Sequence, residues 1–452
     1  MPSEPRGGHI VVLVLALGAA PAHASGDYHR NLIPGARAAS FAGAFTAIAD
    51  DPGAAYYNPA GLADLHHDTF SLSTSVYAAR GVKVSGGQRK NGAVSDTNDV
   101  DLFVAPVASG LVKSLNGPES SLPMAWGLFV DQLDVDPLDR VVLLDRSRLG
   151  GVDASQFAGL RQENAATTLF GLGAGLRLSP RWTLGASLLL DYHTLEARDT
   201  LELAVEPDGG QPLFTSSLTR VNAQSLGAAA RVGALFDATE RLRLGLCVQS
   251  PSLDVWGGGE VQTERATFGG AVGPGGTLEA GGGDNLTARE HLPFEVTAGA
   301  AYTVPNRWRI AADLTFDAPV GEYAWLEGPS LGTSLQTEKA AVVDGALGGE
   351  YFVADGVALR GGVFTQRSNV VLYDPTQVDA TDPGNRYGAV LGAGIATGRV
   401  ALDLGVIGQW AQGRTVTADA AGPVESNRAE WRLTIFMGAS YFFDDTKQNG
   451  EK

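Results

Sequence analysis

Few residues in this chain have both the type and the spacing to do chemistry. His66-His67-Asp68 could ligate a metal, but adjacent residues on a strand point to opposite faces, so the trio fits a polar junction better than a metal site. Asp131, Asp134, Asp136 and Asp139 offer the oxygens that calcium takes, yet they miss the EF-hand spacing and lack its central glycine. The tract from Gly257 to Gly283 has no following Gly-Lys-Ser/Thr and opens no helix, so it reads as a mobile external loop and not as a phosphate cradle. A hydrolase needs a serine within reach of an oriented histidine; His193 stands at a strand end, and no recognisable motif sets a serine beside it. The single cysteine, Cys247, excludes an intrachain disulfide and argues against structural zinc. No metal, cofactor or enzymatic activity is expected.

The remaining candidates are charges and aromatics, and their meaning depends on the elements that carry them. Stretches of alternating apolar residues recur along the chain, each about as long as a tilted strand needs to cross a bilayer. They run Thr69–Tyr77, Leu102–Val112, Leu122–Val130, Thr168–Leu178, Trp182–Tyr192, Gln224–Phe236 and Leu242–Val248. They continue as Phe294–Val304, Trp308–Phe316, Val343–Phe352, Val357–Phe364, Tyr387–Ala396, Val400–Trp410 and Arg432–Phe443. That makes about 14, an even number, as closure of a bacterial single-chain antiparallel barrel requires.

The period of two assigns faces. Trp182, Leu184, Ala186, Leu188 and Leu190 share one face, and Thr183, Gly185, Ser187 and Asp191 the other. Apolar outer faces with Gly, Ser, Thr and mixed charge inside are the reverse of a soluble sandwich, so the outside touches lipid. Tight links such as Ser179-Pro180-Arg181, Pro305-Asn306-Arg307 and Ala354-Asp355-Gly356 alternate with long loops, which sets the short turns on the periplasmic side. Arg177, Arg231, Arg243, Arg309 and Arg360 fall inside with Asp191, Asp313, Glu350 and Asp403. Either these charges satisfy one another, or some arginines, with Arg231, Arg309 and Arg360 as candidates, hold the carboxylate of a ligand. Phe352, Phe364, Phe436 and Phe442 are the inward aromatics available to an apolar tail.

Composition agrees with a membrane barrel. There are 59 glycines, 44% hydrophobic and 18% charged residues, and mean hydropathy is zero. A net charge of −17 excludes a nucleic-acid footprint and reads as solubility of external loops, or as cation bridging to an anionic lipid surface. Arg6, the apolar run Ile10 to Ala20 and Ala22-His23-Ala24 form a signal peptide over residues 1–24, which implies export. A polar tail, residues 444–452, follows the closing aromatic strand.

Between signal and strands lies a segment of a different kind, residues 25–67. Its Gly/Ala-rich run begins at Gly35, includes Phe41 and Phe45 and reads as one or two helical turns from Ala38 to Ile48. Asp50-Asp51-Pro52-Gly53 stops those turns, and Tyr56-Tyr57-Asn58-Pro59-Ala60-Gly61-Leu62 follows with a backbone stiffened by proline. This arrangement resembles the N-terminal hatch of the FadL/TodX family of outer-membrane transporters of long-chain fatty acids and hydrocarbons. Gly348-Gly349-Glu350-Tyr351 with Ala358-Leu359-Arg360-Gly361-Gly362 is similar to a late hairpin of the same family.

The resemblance implies an all-β transmembrane antiparallel barrel over residues 68–443, plugged by the hatch, in the outer membrane of a Gram-negative bacterium. It implies passive uptake of hydrophobic small molecules: capture by external loops, binding in a luminal pocket and hatch-gated lateral release. Asn58 would be the latch, within a gate of Gly35, Phe41, Asp50, Asp51, Pro59, Ala60 and Gly61. Phe45, Tyr56, Tyr57, Phe352, Phe364, Leu213 and Phe214 are candidate ligand contacts. The loops His193–Asn222 and Ser250–His291 stand where the family has its capture groove, with Leu201, Leu203, Val205 and Val255 available to line it. The partners expected are the ligand, outer-membrane lipids and lipopolysaccharide, and the barrel-insertion machinery, with the chain a monomer. The competing reading is a plugged barrel that docks secreted or surface proteins.

Overall fold

The computed structural model describes residues 28–443, apart from 91–92, 104–107, 116–123, 150–151, 206–210, 332–333, 372, 377–379 and 420–421. The expected signal peptide and the polar tail lie outside the described residues.

Fourteen strands close an antiparallel barrel. They are β1 Thr69–Lys90, β2 in two pieces (Ala93–Phe103 and Ala108–Ser114), β3 Met124–Leu149, β4 Val152–Arg177, β5 Trp182–Val205, β6 Leu213–Asp237 and β7 Leu242–Gln249. The circuit continues with β8 Glu295–Val304, β9 Trp308–Asp317, β10 Val342–Ala354, β11 Val357–Gln366, β12 Arg386–Thr397, β13 Val400–Asp419 and β14 Gly422–Phe442. Closure is the β1–β14 ladder, from Thr69 opposite Phe442 to Val84 opposite Arg428.

Lipid-facing height follows from side chains. Near the short turns, Trp182 packs on Phe236, Tyr302 on Trp308 and Tyr441 on Phe443. Ten residues up β13 from Val400, Trp410 stacks with Tyr387 and lies opposite Trp431. Ten residues at about 3.3 Å each, tilted by about 40°, separate the two aromatic belts by roughly 25 Å, the height of an apolar band.

β3 to β6 are 26, 26, 24 and 25 residues long, well beyond that band. On β5 the polarity of the faces inverts. Leu184, Leu188 and Leu190 are exposed outside, whereas Leu195, Ala197, Leu201, Leu203 and Val205 are buried inside with Glu196, Arg198 and Glu202 exposed. The strand has left lipid for water. The expected capture loops are therefore mostly sheet: β5 and β6 pair as far as Val205 opposite Leu213. The glycine-rich tract, expected as a mobile loop, is a β-hairpin, Leu253–Gly269 with Gly273–Ala288.

Residues 28–68 pack against the inner face of the wall. Helix α1 covers Ala36–Ser40, α2 covers Ala54–Tyr57, and a 3-10 turn covers Pro59–Asp64. The helix expected to reach Ile48 ends at Ser40, because Ala42 and Gly43 take left-handed backbone (φ 58° and 86°). Phe41, Phe45, Tyr56 and Leu62 are fully buried, in one cluster with the inward Phe129, Leu169, Leu189 and Ala229. The wall is flat where it meets this segment. A Cβ on Gly185 would overlap the Pro59 carbonyl group and Ala60 N, and one on Gly348 would overlap the Phe41 carbonyl.

Gly185→Val should therefore leave the barrel closed while unseating the 3-10 turn, at an overpacking cost of about 1–3 kcal/mol. Faster proteolysis within residues 28–68, with unchanged heat-modifiable mobility of the barrel, is the outcome to look for.

Candidate functional site

The site grows out of Asn58-Pro59. Pro59 opens the 3-10 turn, and Asn58 is extended (φ −162°, ψ 101°) with its side-chain oxygen accepting from Ala60 N at 3.2 Å. Its amide nitrogen donates to Thr46 O at 2.9 Å and to Ala234 O of β6 at 3.1 Å. One side chain thus ties two parts of the segment to each other and to the wall. Opposite, Asp313 of β9 accepts from the backbone of Phe45 (2.9 Å) and Thr46 (2.8 Å).

Ion pairs complete the seat. Arg37 and Arg309 each meet Asp50 at 2.8 Å, and Arg360 joins Glu350 (3.0 Å) to Asp403. Arg231 donates to the Tyr56 carbonyl, to Gln249 (2.6 Å) and to Glu295 (3.2 Å), with its guanidinium 4.4 Å from the centre of the Tyr56 ring. At the end with the short turns, Arg177 and Arg243 share Asp64, and Arg243 also meets Asp237 at 2.7 Å. All five inward arginines have partners within the chain, and four of them join the wall directly to residues 28–68. Asp191, expected to pair with one of them, is buried over Gly227 instead.

Two clefts flank Ile33 and Pro34, and both are lined by Phe364. One has Ile407 and Phe436 as apolar walls and reaches Ser73, Thr74, Ala108 and Gln132. The other includes Tyr57, Ala346, Asp313 and Asp344. Gly35 lines the first cleft. Phe45 and Tyr56 are packed inside the segment's aromatic core, Tyr56 4.9 Å from Tyr57 and Phe45 5.4 Å from it. Phe352 is half-buried low on β10. Leu213 and Phe214 sit high on β6, Phe214 facing outward, so the chosen aromatics and apolar residues do not converge on one pocket. Ile33 and Ile407 were missed. Ile407 was legible, since it shares the inner face of β13 with Asp403.

The first cleft adjoins the seam between β2 and β3, through Ala108 and Gln132. Among the described residues the β2–β3 ladder sets Ser109–Ser114 opposite Ala125–Val130. Just above, β3 bulges at Leu133, whose carbonyl accepts from Asn31 N (3.1 Å) and Leu32 N (3.0 Å).

The other candidates stay apart. His66 and His67 are exposed, and Asp68 binds Ser114 N at 3.0 Å. Asp131 is buried, while the side chains of Asp134, Asp136 and Asp139 lie outside the described residues. His193 Nδ1 meets Thr167 at 3.0 Å. Among the described residues no three His, Cys, Asp or Glu side chains gather as a metal site would need.

A closed barrel with a short segment folded inside it and polar contacts fastening the two defines the class of fold, a plugged antiparallel β-barrel. That fold is shared with a FadL homologue of Pseudomonas aeruginosa (TM-score 0.63, 16% identity, 92% of this chain and 100% of that one). It is shared also with the toluene transporter TodX of P. putida (0.61, 14%, 91% and 99%) and with the monoaromatic hydrocarbon channel CymD (0.53, 14%, 92% and 99%). No protein-family model matches the sequence, and no curated protein does. The FadL/TodX resemblance read from the hatch motif is thus borne out at the level of the fold.

The two acids at the helix stop titrate in opposite senses. Burial works against the Asp50 carboxylate, but Arg37 and Arg309 outweigh it and hold the group well below the usual carboxylate range. Burial, with Asp50 alongside, pushes Asp51 up to about 7. A lowered folded value gives stability that is whole at neutral pH and is lost below about 4, whereas a raised one gives stability that grows as pH falls from 7 toward about 4. Docking of residues 28–68, followed by protease protection against pH, should be firmest near pH 5. Asp51→Asn should flatten the profile between pH 5 and 8 and leave the loss below pH 4 in place.

Proposed function

We propose that this chain is a member of the FadL/TodX family, a channel for passive uptake of long-chain fatty acids or hydrocarbons across the outer membrane of a Gram-negative bacterium. The observation that carries the proposal is the apolar cleft of Ile33, Phe364, Ile407 and Phe436, which lies against the N-terminal segment and reaches Ala108 of β2 and Gln132 of β3. A solute resting there passes sideways into the bilayer when residues 31–35 shift. Residues 25–67 act as the hatch, Asn58 is its latch, and the β2–β3 seam is the lateral exit. The capture expected of external loops falls to the tall sheet of β3 to β6 and the hairpin of residues 253–288 beside it. The inward arginines serve the hatch more than the ligand, because each already has a partner. The chain acts as a monomer with lipopolysaccharide around it, and its solute moves down its own gradient.

One observation favours the second reading, a docking barrel for secreted or surface proteins: the strands β3 to β6 extend as a sheet well above the lipid band. Saturable binding of a fluorescent long-chain fatty acid to the purified barrel, with uptake into cells as the second readout, separates the two. Asn58→Ala removes hydrogen bonds to Thr46 and Ala234 that together contribute about 1–3 kcal/mol, and it should alter the uptake rate several-fold with the barrel intact. No binding of fatty acid, toluene or a longer alkane would turn the reading to docking.

A further inference from the structure

A β-hairpin between β9 and β10, Val320–Glu327 paired with Leu335–Lys339, folds back over the upper lumen. Its Trp325 is 2% exposed and Leu326 is fully buried. Both join a cluster with Ala165 of β4, Leu195 and Ala197 of β5, and Val221 and Ala223 of β6. These are inner-face residues on the far wall, and the alanines leave the room an indole ring needs. The hairpin reaches across the barrel to fill it.

Its near side is clasped to the strand Gly273–Ala288 and the residues after it. Ala288 lies opposite Leu326 and Thr287 opposite Glu327, and Arg289 N donates to the Trp325 carbonyl at 2.8 Å. Arg289 pairs with Glu327 at 2.6 Å. Tyr323 donates to Glu290 at 3.2 Å and stacks on His291 with ring centres 4.2 Å apart. Lys339 pairs with Glu290 and donates to the His291 carbonyl at 2.7 Å.

One feature opposes this docking: the Glu290–Lys339 pair is buried, and water would solvate both charges if the hairpin lifted, so closure sacrifices solvation that opening restores. An element with strong apolar anchors and a built-in desolvation penalty is suited to two positions. The hairpin belongs to no barrel ladder, so its lifting leaves the wall closed.

We infer that this hairpin is an external lid, anchored by Trp325, which shuts the lumen from above independently of the N-terminal segment. The inference rests on the channel reading, which places a solute in the lumen between the two closures.

A reversible cross-link tests it. Ala288 and Leu326 face each other across a ladder, within disulfide reach, and the native Cys247 is buried. In Ala288→Cys/Leu326→Cys protein, oxidation should abolish uptake of a fluorescent long-chain fatty acid, and reductant should restore it. Trp325→Ala, which loosens the lid without a cross-link, should raise the initial uptake rate several-fold. Equal uptake by oxidised and reduced protein, with the cross-link confirmed by mass, would overturn the lid and leave the channel standing. Absence of uptake by the wild-type chain as well would overturn the channel reading and the lid with it.

Discussion

Within hydrocarbon no water is available to a backbone N–H or C=O, so every strand must give both of its edges to neighbours. The rest of this molecule follows from that constraint. It forces a ring of strands, with β14 returning to β1, and leaves only the faces free to vary. Outside, the faces must be apolar for roughly ten residues and then polar, and β5 makes that change beyond His193 without interrupting its ladder. Inside, the ring must be filled or closed, because an open 14-stranded lumen would pass hydrophilic solutes. Two separate elements fill it here, residues 28–68 from below and the Val320–Glu327 hairpin from above.

The two fillings rely on different physics. The lower one sits against glycines, backbone to backbone, and is fastened by directional contacts: Asn58 to Thr46 and Ala234, Asp313 to two backbone amides, and Asp50 between two arginines. Such contacts select one geometry and resist sliding. The upper one divides the two roles: an indole in an alanine-lined space fills the far side, and the ladder and ion pairs to the strand Gly273–Ala288 and the residues after it set its angle on the near side.

How much of this was legible depended on range. Strand number, outward aromatics and inward charges are consequences of a period of two and of turn length, so the sequence displays them. Asn58-Pro59 was legible for a local reason, since the cap on Ala60 lies two residues away. What was hidden depends on partners far along the chain. β5 reads as ending at Tyr192 because alternation beyond it keeps its period and only reverses its sense, so the apolar-outward pattern stops at the reversal. The glycine tract reads as a loop by composition, yet cross-strand pairing with Leu213–Ala228 holds Leu253–Gly269 in a sheet. Trp325 gave no signal at all, since its surroundings come from five segments that meet only in the folded barrel.

The arginine network constrains how the lower filling can move. Arg231, Arg243, Arg309 and Arg177 all bridge from the wall to residues 28–68, so expelling the segment as a body would break all of these contacts at once, together with the Asn58 and Asp313 hydrogen bonds. A channel of the proposed passive kind would have only its solute's gradient to drive that. Residues 31–35 are held by fewer charges: the Asn31 and Leu32 amides donate to the Leu133 carbonyl, Arg386 donates to Asn31 at 2.6 Å, and Tyr57 donates to the Pro34 carbonyl at 2.9 Å. An opening of the proposed kind that moved this edge alone would break that smaller set and leave the Asn58 turn and its ion pairs in place.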